Sequence, residues 1–257
     1  METFCHFFDD VQGFCVNENS KRNVLRFTIE DTPVRTFYLK RFYRAQIKDT
    51  IGAVWRFRRP MSQGAIEWTN ARHLQSHGIQ TGHPVCCGEQ MVAGFERRSF
   101  LVTEKVEGVC MVDFLDRQWG DLNRTEKERV VVELARLVRR LHDVNVSLPD
   151  LYIWHVFIQP DPGGGGYALS VIDLHRMIPN ARTAFDRFRS VSRLHWSMSS
   201  RYFDDGLKDR LISAYMENSR IDLDRLMRSI RRNAQTLEKR GRDVDRYYAQ
   251  AKLPSAW

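Results

Sequence analysis

Apolar and polar positions begin to alternate at Asn23. Val24-Leu25-Arg26-Phe27-Thr28-Ile29 and Thr36-Phe37-Tyr38-Leu39-Lys40 read as the two strands of a hairpin, and Glu30-Asp31-Thr32-Pro33 supplies the turn between them. Residues 64–78 then predict a helix, with Ile66, Ala71 and Leu74 partly on one face, Glu67 near the start and Gly78 as the stop. Pro84-Val85-Cys86-Cys87 and Ser99-Phe100-Leu101-Val102-Thr103-Glu104 are extended, and Glu107-Gly108 breaks the pattern. The first hundred or so residues therefore run strand, strand, helix, strand, strand.

The strongest helical signal follows. Leu134, Leu137, Val138 and Leu141 recur at three- and four-residue spacing, and Thr125 with Glu128 reads as a capping box, which predicts a helix over 125–144. Trp154-His155-Val156-Phe157-Ile158 and Tyr167-Ala168-Leu169-Ser170-Val171-Ile172 predict a second hairpin, joined by Pro160-Asp161-Pro162 and the four glycines at 163–166. No lysine or helical pattern follows those glycines, so they read as a hairpin tip and not as a phosphate-binding loop. The remainder is helical and charged: Leu223, Leu226, Met227 and Ile230 mark one amphipathic segment, and 243–252 a last polar one.

Composition narrows the class. With 257 residues and 42% hydrophobic content, the chain can bury one large core or two smaller lobes. A net charge of +8 favours an anionic partner such as a nucleotide, a glycan phosphate, an acidic lipid or nucleic acid. The five cysteines form no CxxC pair and lie near no histidine at zinc-finger spacing, which points to reduced thiols, with Cys86 and Cys87 as small apolar strand residues. The N-terminus has no signal-peptide pattern and no long apolar run occurs, so a cytoplasmic protein, soluble or peripheral, is expected.

Four side chains stand in an order that suits phosphoryl transfer. Lys40 ends a strand, Glu67 lies early in the next helix, and Asp150 and Asp173 flank the second hairpin. Moving a phosphoryl group from ATP needs a cation on the phosphates, a carboxylate to orient that cation, a carboxylate on the attacking hydroxyl and another for Mg²⁺. Taken singly, each residue has an ordinary structural reading. The order of all four is what points to a kinase.

The chain resembles the lipopolysaccharide kinase family, the Kdo/WaaP group of protein-kinase relatives. The resemblance rests on Phe37-Tyr38-Leu39-Lys40, Gly64-Ala65-Ile66-Glu67-Trp68, Gly78-Ile79-Gln80-Thr81, the strand ending at Glu104, Leu141-His142, Asp150-Leu151-Tyr152-Ile153-Trp154-His155 and Val171-Ile172-Asp173-Leu174-His175-Arg176. It implies an α+β, protein-kinase-like two-lobed fold. Residues 1–104 would form an N-lobe, an antiparallel sheet with one helix, and residues 105–257 a mostly helical C-lobe. It further implies Lys40 on the ATP phosphates, Glu67 as its partner and the backbone from Glu104 to Val106 on adenine. Asp150 would be the catalytic base and Asp173 the main Mg²⁺ ligand. His155 stands where protein kinases carry a metal-binding asparagine.

Two departures from the family pattern stand out. Leu148-Pro149 precedes Asp150 where many members carry His-Arg, and Gly13 is the only glycine before Lys40. The resemblance implies ATP-dependent phosphorylation of a sugar hydroxyl, heptose or Kdo, in the lipopolysaccharide inner core. The basic residues Arg41, Arg44, Lys48, Arg56, Arg58 and Arg59 either meet that anionic glycolipid or the inner face of the membrane, or form a solvated basic loop. Leu148-Pro149 and His155 favour, as an alternative, a pseudokinase-like nucleotide-binding scaffold; a kinase of another small molecule or a protein is a further one. The arginines are interleaved with acidic residues and no nucleic-acid module is present, so no nucleic-acid partner is expected.

Overall fold

A computed structural model of the chain describes residues 2–43, 52, 54, 57–161, 163–217, 219 and 221–251. The chain divides into two compact units, one running to Val106 and including Asp173–His175, the other formed by Glu107–Ile172 and Arg176–Leu253.

The first unit is built on a five-stranded antiparallel sheet in the order β1-β2-β3-β5-β4: β1 (Phe14–Glu18), β2 (Arg22–Ile29), β3 (Arg35–Phe42), β4 (Pro84–Val92) and β5 (Phe95–Glu104). The expected strand pairs are present, and β4 and β5 run longer than the sequence pattern suggested, because β4 pairs with β5 out to Val92 and Phe95. Alternation along the strands divides the sheet into two faces. On one, Leu25, Phe37, Leu39, Phe100 and Val102 form a core with Phe8 from the N-terminal helical segment, which begins with α1 (Glu2–Cys5); Phe4 and Phe7 pack against it. The other face receives α2 (Gln63–Ser76), capped by Ser62, whose hydroxyl accepts the Ala65 N–H, and ended at His77 before the left-handed Gly78.

Arg41 departs from the reading of a basic stretch. It is buried, and its guanidinium donates to the carbonyls of Phe7 (3.1 Å) and Val11 (2.6 Å), so it ties the N-terminal segment to β3 instead of facing solvent or an anion. Arg44, Lys48 and Arg56 of that stretch lie outside the described residues.

In the second unit, a short sheet of β6 (Val109–Cys110), β7 (Val156–Pro160) and β8 (Tyr167–Val171) accompanies the helices α3 (Met111–Arg117), α4 (Arg124–Asp143), α5 (Ala184–Ser197), α6 (Asp205–Met216), α7 (Leu223–Glu238) and α8 (Val244–Ala251). Leu134, Leu137, Val138 and Leu141 of α4 are all fully buried, as their spacing predicts. Its capping box is shifted, however. Asn123 is the N-cap, its side chain accepting the Glu126 N–H at 3.0 Å, while Glu126 accepts the Asn123 N–H at 2.8 Å. Thr125 and Glu128 have the same spacing but lie inside the first turn. Asn is as good a cap as Thr, and starting two residues earlier satisfies the first amides. The β7–β8 connection is a tip, with Gly164 and Gly165 both at positive φ; Pro162 lies outside the described residues. Among the described residues, no helix is long and apolar enough to cross a membrane.

Candidate active site

The first unit gathers the charged residues. Lys40 faces Val24 on β2 and Leu101 on β5, and the alternation that buries Leu39 with the N-terminal aromatics turns Lys40 to the face covered by α2. Glu67, in the second turn of α2, is 3% exposed, and its Oε2 lies 2.7 Å from Lys40 Nζ. The helix approaches this closely because residue 64 has no side chain: a Cβ there would sit 2.7 Å from the Phe100 carbonyl oxygen. The Gly64 N–H donates to Ser99 Oγ at 3.1 Å, which pins the helix start to β5.

Asp173 joins them through the segment Asp173–His175, held to α2 by the buried Asn70, whose Nδ2 donates to the Leu174 carbonyl at 2.7 Å. The Asp173 backbone is left-handed, φ +62°, a conformation that costs a non-glycine residue about 1 kcal/mol and that clusters at functional sites. Its Oδ1 collects three basic groups: His175 Nδ1 at 2.8 Å, Arg22 Nη1 at 3.4 Å and Lys40 Nζ at 3.8 Å.

These neighbours set the charge state. Burial would raise the Asp173 carboxyl, but His175, Lys40 and Arg22 together outweigh it and hold the group well below the usual carboxylate range. For His175 burial acts downward, yet Asp173 and Glu67 prevail and its pKa is raised. Asp173 is therefore ionised throughout the physiological range.

Among the described residues, Glu67, Asp173 and His175 are the metal-capable side chains whose ligand atoms converge, all within 4.8 Å. Glu67 Oε1 is buried and makes no hydrogen bond, and Asp173 offers a fully ionised carboxylate. This oxygen-rich set fits Mg²⁺, which takes one or two carboxylates together with substrate phosphates and water. His155, expected as a second ligand, is not in this group.

At the end of β5, the Glu104 N–H donates to the His83 carbonyl (2.8 Å), the Lys105 N–H to Thr36 (2.9 Å), and the Glu104 carboxylate pairs with Arg35. The Val106 N–H has no partner among the described residues.

In the second unit, Asp150 Oδ2 lies 3.0 Å from Arg176 Nη1, and the Asp150 carbonyl faces His155 Nδ1 at 2.8 Å. The loop before it is held from α5: Ser190 Oγ accepts the Leu148 N–H at 2.9 Å and lies 2.8 Å from Ser147 Oγ. Leu148 and Pro149 are buried, so this loop is anchored by apolar packing and a serine pair where many family members carry charged side chains.

Sequence reasoning thus named Lys40, Glu67 and Asp173, which the fold brings together, and Asp150 and His155, which are joined in the other unit. It passed over Arg22, His175 and Ser190. His175 stood within a motif already singled out; Arg22 and Ser190 carry no local signal.

One unit with a sheet and a packed helix, a second that is mostly helical, and a strand lysine paired to a helix glutamate define a protein-kinase-like protein. The solved structure of WaaP in complex with acyl carrier protein superimposes with a TM-score of 0.65 at 22% identity, covering 98% of this chain and 93% of that one, and shares this fold. The family model for the lipopolysaccharide kinase (Kdo/WaaP) family matches residues 7–215, and the chain belongs to that family. Lipopolysaccharide core heptose(I) kinase WaaP of Escherichia coli is 27% identical over 171 residues, 65% of this chain and 63% of the relative. Its Pseudomonas aeruginosa counterpart is 32% identical over 121 residues, 46% and 45% of the two chains. The matched regions thus span less than two thirds of the length of these relatives.

Proposed function

We propose that this chain is an ATP-dependent kinase that phosphorylates a sugar hydroxyl of the lipopolysaccharide inner core, a heptose by likeness to its relatives, with Kdo as the other candidate. The observation that carries the reading is the Lys40–Glu67 pair at 2.7 Å beside an ionised Asp173, the charge arrangement that phosphoryl transfer requires.

In this reading the two units act as the N- and C-lobes, and Lys40 Nζ neutralises the α- and β-phosphates while Glu67 keeps it from folding back. Asp173 holds Mg²⁺, which when bound would screen the phosphate charge and stabilise the leaving oxygen. Asp150 takes the proton of the acceptor hydroxyl. His155 anchors the Asp150 carbonyl through Nδ1 and is the second candidate ligand through Nε2. Backbone from Glu104 to Val106 meets adenine, a role supported by the Val106 N–H, which has no partner among the described residues. In this reading the protein acts on a glycolipid core at the cytoplasmic face of the inner membrane, and its +8 charge favours an anionic surface.

The test is incubation with ATP, Mg²⁺ and dephosphorylated lipopolysaccharide core, followed by mass spectrometry of the glycan. New phosphate on the core is expected, and it should disappear in Asp150→Ala and Asp173→Ala variants that remain folded. No transfer by the parent, or transfer at the parent rate by either variant, refutes the assignment.

The Arg176 pair on Asp150 and the apolar Leu148-Pro149 favour a second reading, a nucleotide-binding scaffold without turnover. Asp150-dependent ATP consumption in the presence of core glycan would eliminate it.

A further inference from the structure

Protein kinases grip the phosphates of ATP with a glycine-rich turn between their first two strands, whose bare backbone N–H groups face the anion. Here the β1–β2 turn is Asn19-Ser20-Lys21 and contains no glycine. Gly13 cannot substitute, because it is committed to packing: a Cβ there would lie 2.5 Å from the Arg26 carbonyl oxygen. The amides of Asn19, Lys21 and Arg22 are also spent internally. The N–H groups of Lys21 and Arg22 both donate to Asn19 Oδ1, at 2.9 and 3.1 Å, and the Asn19 N–H donates to the Arg22 carbonyl at 2.9 Å.

A side chain stands in the place these amides vacate. Val24 pairs with Lys40 across β2 and β3, so Arg22, two residues before Val24, is a diagonal neighbour of Lys40 on the same face of the sheet. Its Nη1 lies 3.4 Å from Asp173 Oδ1, the oxygen that Lys40 also approaches. That distance exceeds the roughly 2.7–2.9 Å of a tight charge-assisted bond. The guanidinium is loosely held on a carboxylate assigned to a metal, in position to accept a stronger anion. A planar fork of donors suits two phosphate oxygens at once.

We propose that Arg22, the first residue of β2 after the β1–β2 turn, grips the terminal phosphates of a nucleoside triphosphate with its guanidinium where related folds use glycine backbone. The proposal rests on the nucleotide-binding reading above. It makes Asp173 a stand-in anion for Arg22 when no nucleotide is present, and it explains how a lid without glycine can serve the same site.

Dissociation constants for ATP, ADP, AMP and adenosine, measured by calorimetry with Mg²⁺ on the parent, Arg22→Gln and Arg22→Lys, test it. The expected result is a ladder. In Arg22→Gln, ATP weakens about tenfold or more, ADP less, and AMP and adenosine by under about twofold, with Arg22→Lys between parent and Gln. Melting temperatures of the three proteins show that they are folded. Equal weakening of all four ligands, which a purely structural role would produce, overturns the proposal, as does unchanged ATP affinity in a folded Arg22→Gln protein. If the parent itself binds none of the four, the nucleotide reading fails first and the Arg22 assignment with it.

Discussion

Lys40 Nζ and Glu67 Oε2 lie 2.7 Å apart with the glutamate almost wholly shielded from water, and the second oxygen of that glutamate has no hydrogen-bond partner. Such a pair stabilises the fold weakly as a unit but strongly resists being halved, because the surviving carboxylate is left charged and dry. Lys40→Met should therefore cost about 3–5 kcal/mol in urea unfolding, while the double variant Lys40→Met/Glu67→Gln should recover much of that loss. A single variant as stable as the parent would show that the pair is not buried in solution.

The buried His142 and the half-buried His195 set an acid limit. Burial, with Arg187 and Arg139 nearby, pushes His142 down to about 3, and burial with Lys208 pushes His195 down to about 4. A histidine depressed in the folded state binds its proton only on unfolding at pH below about 6.5, so stability is full above that value and falls as pH drops towards the folded pKa. Each should remove about 2 kcal/mol between pH 7 and pH 5. His142→Gln should shrink the pH dependence of the unfolding midpoint by one histidine's share, whatever its effect at pH 7; an unaltered slope would contradict the assignment.

The shifted capping box separates two otherwise similar sites. Asn123→Ala should destabilise the protein by about 1 kcal/mol, whereas Thr125→Ala, within the first turn of α4, should change it by less than about 0.5 kcal/mol. Chemical denaturation of the two variants side by side decides between the two registers.

Arg193 is 7% exposed, and its Nε and Nη1 make no hydrogen bond. It lies over the Tyr152 ring at 5.9 Å, a contact smaller than the cost of two buried, unsatisfied N–H groups on a guanidinium. Arg193→Met, which keeps the stem and drops the charge, should raise stability by on the order of 1 kcal/mol, seen as a higher melting temperature. A lower one would mean that the guanidinium has an anionic partner in solution.

Elements whose signals are local were legible in the chain. Alternation marked β2, β3 and β8, the three- and four-residue spacing of leucines and valines marked α4, and the order of Lys40, Glu67, Asp150 and Asp173 marked the candidate site. The errors occurred where competing local options had similar energies. Asn123 and Thr125 both begin a sequence that could form a capping box, and only the packing of α4 and the satisfaction of its first amides chose between them. Arg41 looked like one cation in a basic stretch, because nothing near it in sequence announces that the carbonyls of Phe7 and Val11 would reach it.

By itself, the sequence determined the main strands and helices, the kinase-like order of charged residues and the family to which the chain belongs, all consequences of periodicity and short motifs. Only the tertiary structure decided that Arg22 shares an oxygen of Asp173, 151 residues away, with Lys40 and His175. That convergence depends on the strand register that places Val24 opposite Lys40, and on the absence of a side chain at Gly64, which lets α2 bring Glu67 against the sheet. Register and close approach are set by packing over the whole unit, and no local stretch of sequence contains them.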